Sequence, residues 1–206
     1  KYFLRNKNYI ENEKIDEKIL SLINNNSIKA KNILEIGCSN GNKLNQYSKL
    51  LKSKNSYGVD LSKKAISNGK KKYKNLKLSN LSSLEIGKIK INFDMIICGF
   101  FLYQLDREHI FRQFDLLYKK LTKNGFLLIW DFDPLFKHSN KNFRSKYLTS
   151  FKMSYDEFLV ESGLFEIIYK FKYKTSSKDK KNFKSDNVAL TLFKKIDFRK
   201  KYPENI

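Results

Sequence analysis

The chain has 206 residues, 41% of them hydrophobic and 15% aromatic, so it can form one domain with a sizeable core and is not expected to be disordered. The 42 basic residues against 21 acids give a net charge of +21. Arginine, the better reader of phosphates and bases, is scarce beside lysine, so this charge indicates solvated lysine faces more than a nucleic-acid partner.

The cysteines and histidines exclude further classes of protein. Cys38 and Cys98 are too few for a disulfide scaffold, and their apolar surroundings predict buried, reduced thiols. His109 and His138 are the two histidines and lack zinc-site spacing, so no metal is expected. We find no apolar run that approaches the roughly 18 residues of a membrane span and no signal-peptide core, so the expected location is the cytoplasm.

Apolar patterns predict the elements in chain order. A leading helix is expected over residues 12–24. Strand patterns then alternate with helix patterns, and a capping box at 154–157 predicts a further helix. The predicted strands are 32–36, 56–60, 76–79, 93–98 and 126–130, the predicted helices are 42–52, 62–74 and 106–121, and apolar segments at 164–173 and 187–193 form a terminal hairpin.

This alternation predicts an α/β fold with a doubly wound, mostly parallel seven-stranded sheet and a C-terminal antiparallel hairpin at its edge. We find no internal repeat and no linker, so residues 1–206 are interpreted as one domain. Within it, residues 1–29 form an N-terminal segment and helix, 30–135 a cofactor-binding core, and 136–206 an acceptor-side loop, helix and hairpin.

The segment Ile33–Gly41 is the most informative part of the chain. An apolar strand runs through Glu35 into a turn bounded by Gly37 and Gly41, with Cys38, Ser39 and Asn40 between them. Glycines let backbone N–H groups approach a ligand closely, and the helix that begins next points its positive dipole end at the same place. This pattern is typical of a cofactor loop.

The ends of the next three strands supply the rest of a nucleoside site, because ligands of doubly wound sheets bind at the carboxyl ends of the strands. Asp60, followed by Leu61, ends the second strand and could accept hydrogen bonds from two ribose hydroxyls. Asn80, followed by Leu81, ends the third strand and could meet an adenine edge. The fourth strand ends in Cys98, Gly99 and Phe100.

Through these residues, in this order, the chain resembles the class I S-adenosylmethionine-dependent methyltransferases over about residues 30–135. The resemblance implies a Rossmann-like methyltransferase fold and S-adenosyl-L-methionine as cofactor. It implies that the loop from Glu35 to Gly41 lies under the methionine part, that Asp60 binds the ribose and that Asn80 contacts the adenine. The chain departs from the family pattern at Ser39, where a glycine is usual, and at Asn80, where an acid is usual.

Two other interpretations of the loop remain open from the sequence. A nicotinamide dinucleotide can bind to a similar turn, although the full G-x-G-x-x-G spacing is absent. The run Gly37–Gly41 also matches the G-x-S-x-G elbow of α/β-hydrolases, with Ser39 as the nucleophile. Against the elbow, it would have to follow the first strand of the sheet, and no oxyanion segment precedes it.

Methyl transfer needs an aligned acceptor and, for a hydroxyl or amine, removal of a proton. Candidates are Tyr103 to line the methyl site, Asp131 after the fifth strand and His138 on the following loop, although core packing is an equal alternative for Tyr103 and a capping role for Asp131. Arg5 is a further candidate, because the segment 2–6 could fold over the cofactor and bring it near a carboxylate.

The long loop 132–153 mixes aromatic and basic side chains, which suits an acceptor that bears negative charge. The acceptor-side residues predicted there are Phe136, His138, Phe143, Arg144 and Tyr147. A faint similarity to methyltransferases of bacterial surface-glycan pathways favours a small-molecule or sugar acceptor. The alternatives are an RNA methyltransferase, for which the Asn/Asp-Pro-Pro-aromatic block after the fourth strand is missing, and a non-catalytic cofactor-binding module. The oligomeric state is not predicted.

Overall fold

Helices and strands alternate along the chain much as the apolar pattern predicts. The computed structural model describes residues 2–141, 149–174 and 187–197. The helices are α1 (Tyr2–Arg5), α2 (Lys7–Asn12), α3 (Glu17–Asn25), α4 (Asn42–Leu50), α5 (Lys63–Lys72), α6 (Ile110–Lys120) and α7 (Asp156–Glu161). The strands are β1 (Asn32–Ile36), β2 (Asn55–Val59), β3 (Lys77–Ser79), β4 (Phe93–Gly99), β5 (Leu121–Phe132), β6 (His138–Lys141), β7 (Thr149–Lys152), β8 (Phe165–Lys174) and β9 (Asn187–Lys195).

Seven of these strands form one sheet in the order β3-β2-β1-β4-β5-β9-β8. The first five are parallel, β9 is antiparallel to β5, and β8 pairs with β9 at the edge. The predicted seven-stranded sheet with its terminal hairpin is therefore confirmed. Strand order reverses between β1 and β4, and in doubly wound sheets a crevice for ligands opens at the carboxyl ends of such a pair.

Alternate residues of the central strands enter two hydrophobic layers, one on each face of the sheet. Ile33 packs in the layer under α3 and α4, whereas its neighbour Leu34 packs in the layer under α6. Both are completely buried, as expected for parallel strands that are covered on both faces. This buried sheet is the rigid support for the loops at its carboxyl edge.

The N-terminal segment is fastened to the start of α4 by side-chain amides. The Asn42 amide donates hydrogen bonds to the backbone carbonyls of Ile10 and Glu13, at 2.9 and 2.7 Å. The Gln46 amide donates to the Glu13 carbonyl at 2.9 Å, and the Tyr73 hydroxyl donates to Asn42 Oδ1 at 3.0 Å. The chain before the sheet is thus held next to the helix that follows the cofactor loop.

Several predicted helix starts differ from the structure. The leading helix begins at Glu17, later than predicted, because the Asp16 side chain accepts from the Lys18 N–H and caps it there. The capping box predicted at 154–157 is wrong: α7 begins after Tyr155, which makes no side-chain cap bond, and the Ser154 hydroxyl instead donates to the side chain of Asp156.

A second, two-stranded sheet, which the sequence did not predict, lies within the loop 132–153. Strands β6 and β7 pair in antiparallel fashion, with His138 opposite Lys152. Strand β7 packs against the short turn Leu102–Gln104 that follows β4. The hairpin therefore covers the carboxyl end of β4. The predicted acceptor-side residues Phe143, Arg144 and Tyr147 lie outside the described residues.

Over the described ranges 2–141, 149–174 and 187–197, none of the helices has the length and apolar character needed to cross a membrane.

Candidate active site

Three residues of the loop after β1 have positive φ. Gly37 has φ +72°, Ser39 +51° and Gly41 +80°, a region that L residues with side chains rarely adopt. The N–H groups of Gly37 and Cys38 donate to the Val59 carbonyl, at 2.9 and 3.1 Å. The turn is thereby held against the end of β2 and leads directly into α4.

Asp60 joins this loop to the end of β2 through its side chain. Its Oδ2 accepts from the Ser39 N–H at 2.9 Å, and its Oδ1 accepts from the Ser62 N–H at 2.7 Å. The Asn80 side-chain amide donates to the Asp60 carbonyl at 2.9 Å. Because each carboxylate oxygen can accept a second hydrogen bond, Asp60 is fixed in place and can still accept from a diol.

Glu35, in β1 directly before the loop, provides a second carboxylate. Its side chain is buried, and its Oε2 accepts no hydrogen bond from any residue in the described part of the chain. Burial raises the pKa of Glu35 to about 7, although Lys43 nearby opposes the shift. Lys43 also pairs with Glu13, with 3.0 Å between Nζ and Oε1. A buried acid with an unsatisfied oxygen favours a ligand that brings a cationic donor.

The glycines that pack against the loop have no room for a side chain, whereas Gly99 at the end of β4 does. A Cβ on Gly69 of α5 would lie 2.2 Å from the Asn40 carbonyl oxygen, so α5 presses on the loop. A Cβ on Gly58 would lie 2.7 Å from Cys38 Sγ. At Gly99, by contrast, a Cβ would meet no atom within 4 Å. This open space at the end of β4 lies in the crevice where strand order reverses.

Aromatic rings surround the carboxyl ends of β4 and β5. The Phe100 ring centroid lies 4.9 Å from that of Trp130, 5.6 Å from that of Phe132 and 6.4 Å from that of Tyr103, all edge to face. Phe100 itself has φ +48°, and its N–H donates to the Trp130 carbonyl at 2.7 Å. We call Phe100, Tyr103, Trp130 and Phe132 the aromatic cluster.

Asp131 lies beneath the turn that presents Tyr103. It is almost completely buried and accepts backbone hydrogen bonds from Phe132 at 2.8 Å and from Tyr103 at 3.3 Å. Burial raises the pKa of Asp131 to about 7, while backbone N–H groups, including those of Leu102 and Phe101, oppose the shift. The carboxylate therefore holds the turn 101–103 in place.

The hairpin of β6 and β7 brings His138 and Lys152 to the acceptor side. The two residues are register partners, so their side chains share one face of the hairpin. Lys152 Nζ lies 4.3 Å from the Phe132 ring centroid, and His138 Nδ1 lies 3.1 Å from the Phe136 carbonyl oxygen. His138 thus lies on the same hairpin as Lys152, the residue that contacts the aromatic cluster.

Most of the predicted cofactor residues lie at this edge of the sheet, and their side chains differ in solvent exposure. Leu61 is 75% exposed beside Asp60, Asn80 is exposed, and Leu81 is half-buried. Cys38 and Cys98 are buried thiols whose pKa values are raised by desolvation.

Arg5 is the predicted site residue in the N-terminal segment. It is exposed at the end of α1, which packs through Phe3 against Ala65 of α5. A place for Arg5 at the cofactor stays a prediction.

Sequence reasoning missed Lys43, Trp130 and Lys152 as site residues. Lys43 is the second residue of α4, and its ammonium lies 5.3 Å from the Trp130 ring centroid. A basic residue directly after the glycine loop could have drawn attention to Lys43. No sequence signal locates Lys152, because its position depends on the unpredicted hairpin. Among the described residues, no group of three or more His, Cys, Asp and Glu side chains could hold a metal ion.

A profile described as "Methyltransferase domain" matches residues 27–186, which is most of the chain. The chain belongs to the methyltransferase domain family. This membership confirms the resemblance drawn from the sequence and disfavours both the hydrolase elbow and the dinucleotide site as interpretations of the loop. The matched range includes the glycine loop, Asp60, the aromatic cluster and the hairpin.

One curated relative is an uncharacterized protein of Rickettsia prowazekii (strain Madrid E), 35% identical over 102 residues. That match covers 47% of this methyltransferase-family chain and 41% of the relative, so the chain matches less than half the length of that protein.

Solved structures share the methyltransferase fold at low sequence identity. The N-methyltransferase NodS from Bradyrhizobium japonicum WM9, in complex with S-adenosyl-L-homocysteine, is 16% identical with a TM-score of 0.63, and 91% of this chain and 90% of that one are covered. A putative S-adenosylmethionine-dependent methyltransferase from Listeria monocytogenes is 11% identical with a TM-score of 0.67, at 88% and 100% coverage.

The 1,6-didemethyltoxoflavin-N1-methyltransferase of Burkholderia thailandensis is 12% identical with a TM-score of 0.68, over 87% of this chain and 76% of that one. It was crystallised with 1,6-didemethyltoxoflavin and S-adenosylhomocysteine. These likenesses establish that the sheet and its helices form a methyltransferase fold.

Proposed function

We propose that the protein is an S-adenosylmethionine-dependent methyltransferase that acts on a small-molecule acceptor. The observation that carries this proposal is the pair of carboxylates at the positive-φ loop, Glu35 in the strand before it and Asp60 hydrogen-bonded to it. Their charges act on each other, since Asp60 contributes to the raised pKa of Glu35. A ligand for this loop must therefore bring hydrogen-bond donors and positive charge.

The residues present fit S-adenosylmethionine on these grounds. Glu35 would hold the ammonium of the methionine part, because its buried Oε2 lacks a donor within the described residues. Asp60, already fixed by Ser39 and Ser62, would accept from the ribose hydroxyls. Asn80 and the exposed Leu61 lie next to Asp60 and would meet the adenine.

The same two acids argue against a dinucleotide. A diphosphate placed on this loop would lie near two carboxylates, and like charges at such short range repel each other. The sulfonium and ammonium of S-adenosylmethionine are attracted instead. Two of the solved structures with this fold contain S-adenosylhomocysteine, which supports this choice.

When bound, the cofactor supplies an electrophilic methyl group for in-line displacement. Tyr103, on the turn after β4, would line the path of the acceptor together with the rest of the aromatic cluster. Asp131 would act as a positioning residue, because its carboxylate accepts the N–H groups of the turn that carries Tyr103. His138, which contacts the Phe136 carbonyl on the hairpin, is our candidate to accept a proton from a hydroxyl or amine.

A small acceptor suits the acceptor side better than a polymer. Strand β7 packs against the turn Leu102–Gln104 that follows β4, and Phe100, next to the open position at Gly99, packs edge to face with Trp130. Aromatic and apolar side chains predominate in sites for small molecules. The Burkholderia methyltransferase, which was crystallised with 1,6-didemethyltoxoflavin, is consistent with this class of acceptor.

The test is turnover with a low-molecular-weight extract. The protein is incubated with S-adenosylmethionine and a metabolite fraction, and S-adenosylhomocysteine is measured by mass spectrometry. We expect product that depends on the fraction and falls at least about tenfold in Tyr103→Ala, while Phe111→Ala, a change to an exposed residue of α6, leaves it unchanged. Product that forms only with a macromolecular RNA fraction would overturn the small-molecule assignment, and bound cofactor without any turnover would indicate a non-catalytic module.

A further inference from the structure

Lys43 lies in the first turn of α4, where the helix itself disfavours a positive charge. That turn has the sequence Asn42-Lys43-Leu44-Asn45 and contains no acid. The N-terminal end of a helix carries a partial positive charge, so it attracts anions and repels a cation such as lysine. A lysine at this place, directly after the cofactor loop, is therefore a candidate for function.

The side chain of Lys43 is on the same face of the sheet as Glu35 and Trp130. Ile33 and Trp130 pack in the layer under α3 and α4, and Glu35, two residues after Ile33 on β1, faces the same side. The Lys43 ammonium lies 5.3 Å from the Trp130 ring centroid, and Trp130 is the register partner of Gly99. The charge of Lys43 is thus on the Glu35 side of the sheet, at the strand ends where Gly99 leaves open space.

Lys43 acts on Glu35 and is also paired with an acid of the N-terminal segment. Its charge lowers the pKa of Glu35, against the larger effect of burial. Its Nζ donates to Glu13 Oε1 at 3.0 Å, and both side chains are half-buried. Because an ammonium has three N–H donors, one bond to Glu13 leaves capacity for a second anionic acceptor.

Glu13 does not depend on this ion pair for its place in the structure. Its backbone carbonyl accepts from the Asn42 amide at 2.7 Å and from the Gln46 amide at 2.9 Å. The ammonium of Lys43 can therefore be shared with a ligand while the N-terminal segment stays on α4.

We propose that Lys43 is a cofactor-binding residue that donates to the α-carboxylate of the methionine part, while Glu35 holds its ammonium. This inference rests on the proposed function and adds a residue to the same site. The two groups are attached to one carbon, so a ligand whose ammonium binds at Glu35 brings its carboxylate toward the neighbouring cation. Without that cation the carboxylate would meet the negative charges of Glu13, Glu35 and Asp60.

Three ligands separate the contributions of the methionine part in a calorimetric titration. S-adenosylhomocysteine has both charged groups, decarboxylated S-adenosylhomocysteine keeps only the ammonium, and methylthioadenosine lacks both. The titrations are made near about pH 8, where Glu35 is ionised. We expect the wild type to bind S-adenosylhomocysteine at least about tenfold more tightly than the decarboxylated ligand, which is the effect of one charge-assisted hydrogen bond.

The variant Lys43→Met removes the charge and keeps the length of the side chain. We expect it to lose at least about tenfold in affinity for S-adenosylhomocysteine and to bind the other two ligands like the wild type, with Lys43→Arg restoring part of the loss. Lys49→Met, at an exposed lysine in the last turn of α4, is the matched control and should bind all three ligands normally.

Glu13→Gln distinguishes cofactor binding from a structural role of the ion pair. It removes the acid that shares the ammonium of Lys43 and keeps the backbone carbonyl that fastens the segment. We expect this variant to bind S-adenosylhomocysteine at least as tightly as the wild type, because a negative charge near the carboxylate is lost.

Several results would overturn the inference while the proposed function stands. In the wild type, equal affinity for S-adenosylhomocysteine and its decarboxylated form would do so. Unchanged affinity for S-adenosylhomocysteine in Lys43→Met would also do so, and equal losses for both ligands would show that Lys43 acts only through the charge of Glu35. Equal losses in Glu13→Gln and Lys43→Met would assign the effect to the ion pair. Failure of the wild type to bind either S-adenosylhomocysteine or methylthioadenosine would instead refute the proposed function.

Discussion

The backbone N–H of Ser39 donates a 2.9 Å hydrogen bond to the carboxylate of Asp60, and this contact joins the loop after β1 to the end of β2. Ser39 itself has a φ of +51°, in the region that favours glycine. The hydrogen bond brings the two halves of the proposed nucleoside site together before any ligand is bound. A site formed in advance loses less conformational entropy on binding.

Replacing Ser39 with glycine tests the strain in this loop. A residue with a side chain at φ +51° is disfavoured by about 1 kcal/mol relative to glycine, so Ser39→Gly should unfold at equal or slightly higher urea concentration and should still bind S-adenosylhomocysteine. Ser39→Val, which is branched at Cβ, should destabilise the protein. Loss of cofactor binding in Ser39→Gly would mean that the serine side chain is needed and would contradict its role as a replacement for glycine.

The buried carboxyl of Glu35 should make stability depend on pH. Its pKa is raised from the ordinary value of 4.5 to about 7, so the unfolded chain ionises first as pH rises. Between these pH values the free energy of unfolding should therefore fall, and it should stay low above about pH 7. Glu35→Gln lacks this ionisation, so we expect the variant to exceed the wild type by about 2 kcal/mol near pH 8.

The comparison is made by urea unfolding of the ligand-free protein at several pH values. The difference between Glu35→Gln and the wild type should vanish below about pH 4.5, where the carboxyl is protonated in both states. Glu108→Gln, at an exposed position, should show no such dependence. A variant that is less stable than the wild type at pH 8 would show that the ionised Glu35 is well satisfied, against our interpretation of its unsatisfied oxygen.

The side-chain amide of Asn42 should stabilise the packing of the N-terminal segment against α4. Asn42→Ala removes the donors to the Ile10 and Glu13 carbonyls, and we expect a loss of about 1–3 kcal/mol in unfolding free energy together with faster proteolysis before α3. The control is Asn45→Ala on the same helix, whose side chain makes one long contact of 3.5 Å with Asn75 on the surface. Equal loss in the two variants would mean that the fastening of the segment does not depend on Asn42.

The large positive charge should attract polyanions without selectivity. Because the lysines are spread over the surface, binding of a structured RNA and of heparin should be similar and should weaken by at least about tenfold between roughly 50 and 200 mM salt. Filter binding at both salt concentrations measures this. Salt-resistant binding that prefers RNA over heparin would contradict the small-molecule assignment and favour an RNA acceptor.

Local patterns were sufficient for the sheet but not for the acceptor side. The glycine loop, Asp60 and the strand that contains Glu35 are recognisable because each lies in a short run with its own period and turn residues. The hairpin that places Lys152 over Phe132 is not, because β6 and β7 are polar, four-residue strands held together by pairing rather than by an apolar pattern.

The burial of Asp131 and the raised pKa of Glu35 could not be predicted from the sequence either. Both depend on which neighbours surround each carboxyl in the folded chain. The pattern predicts Asp131 after the fifth strand, whereas it lies within β5, and only the fold shows that the Tyr103 N–H is one of its partners.

The measurement that tests the central claim most directly is calorimetric titration of the wild type and Asp60→Ala with S-adenosylhomocysteine. We predict one binding site with a Kd on the order of 1–100 μM for the wild type and at least about tenfold weaker binding for Asp60→Ala, because the ribose acceptor is lost. Asp115→Ala, which removes an exposed acid paired with Lys119, should bind like the wild type. Undetectable binding by the folded wild type, or unchanged affinity in Asp60→Ala, would contradict the account.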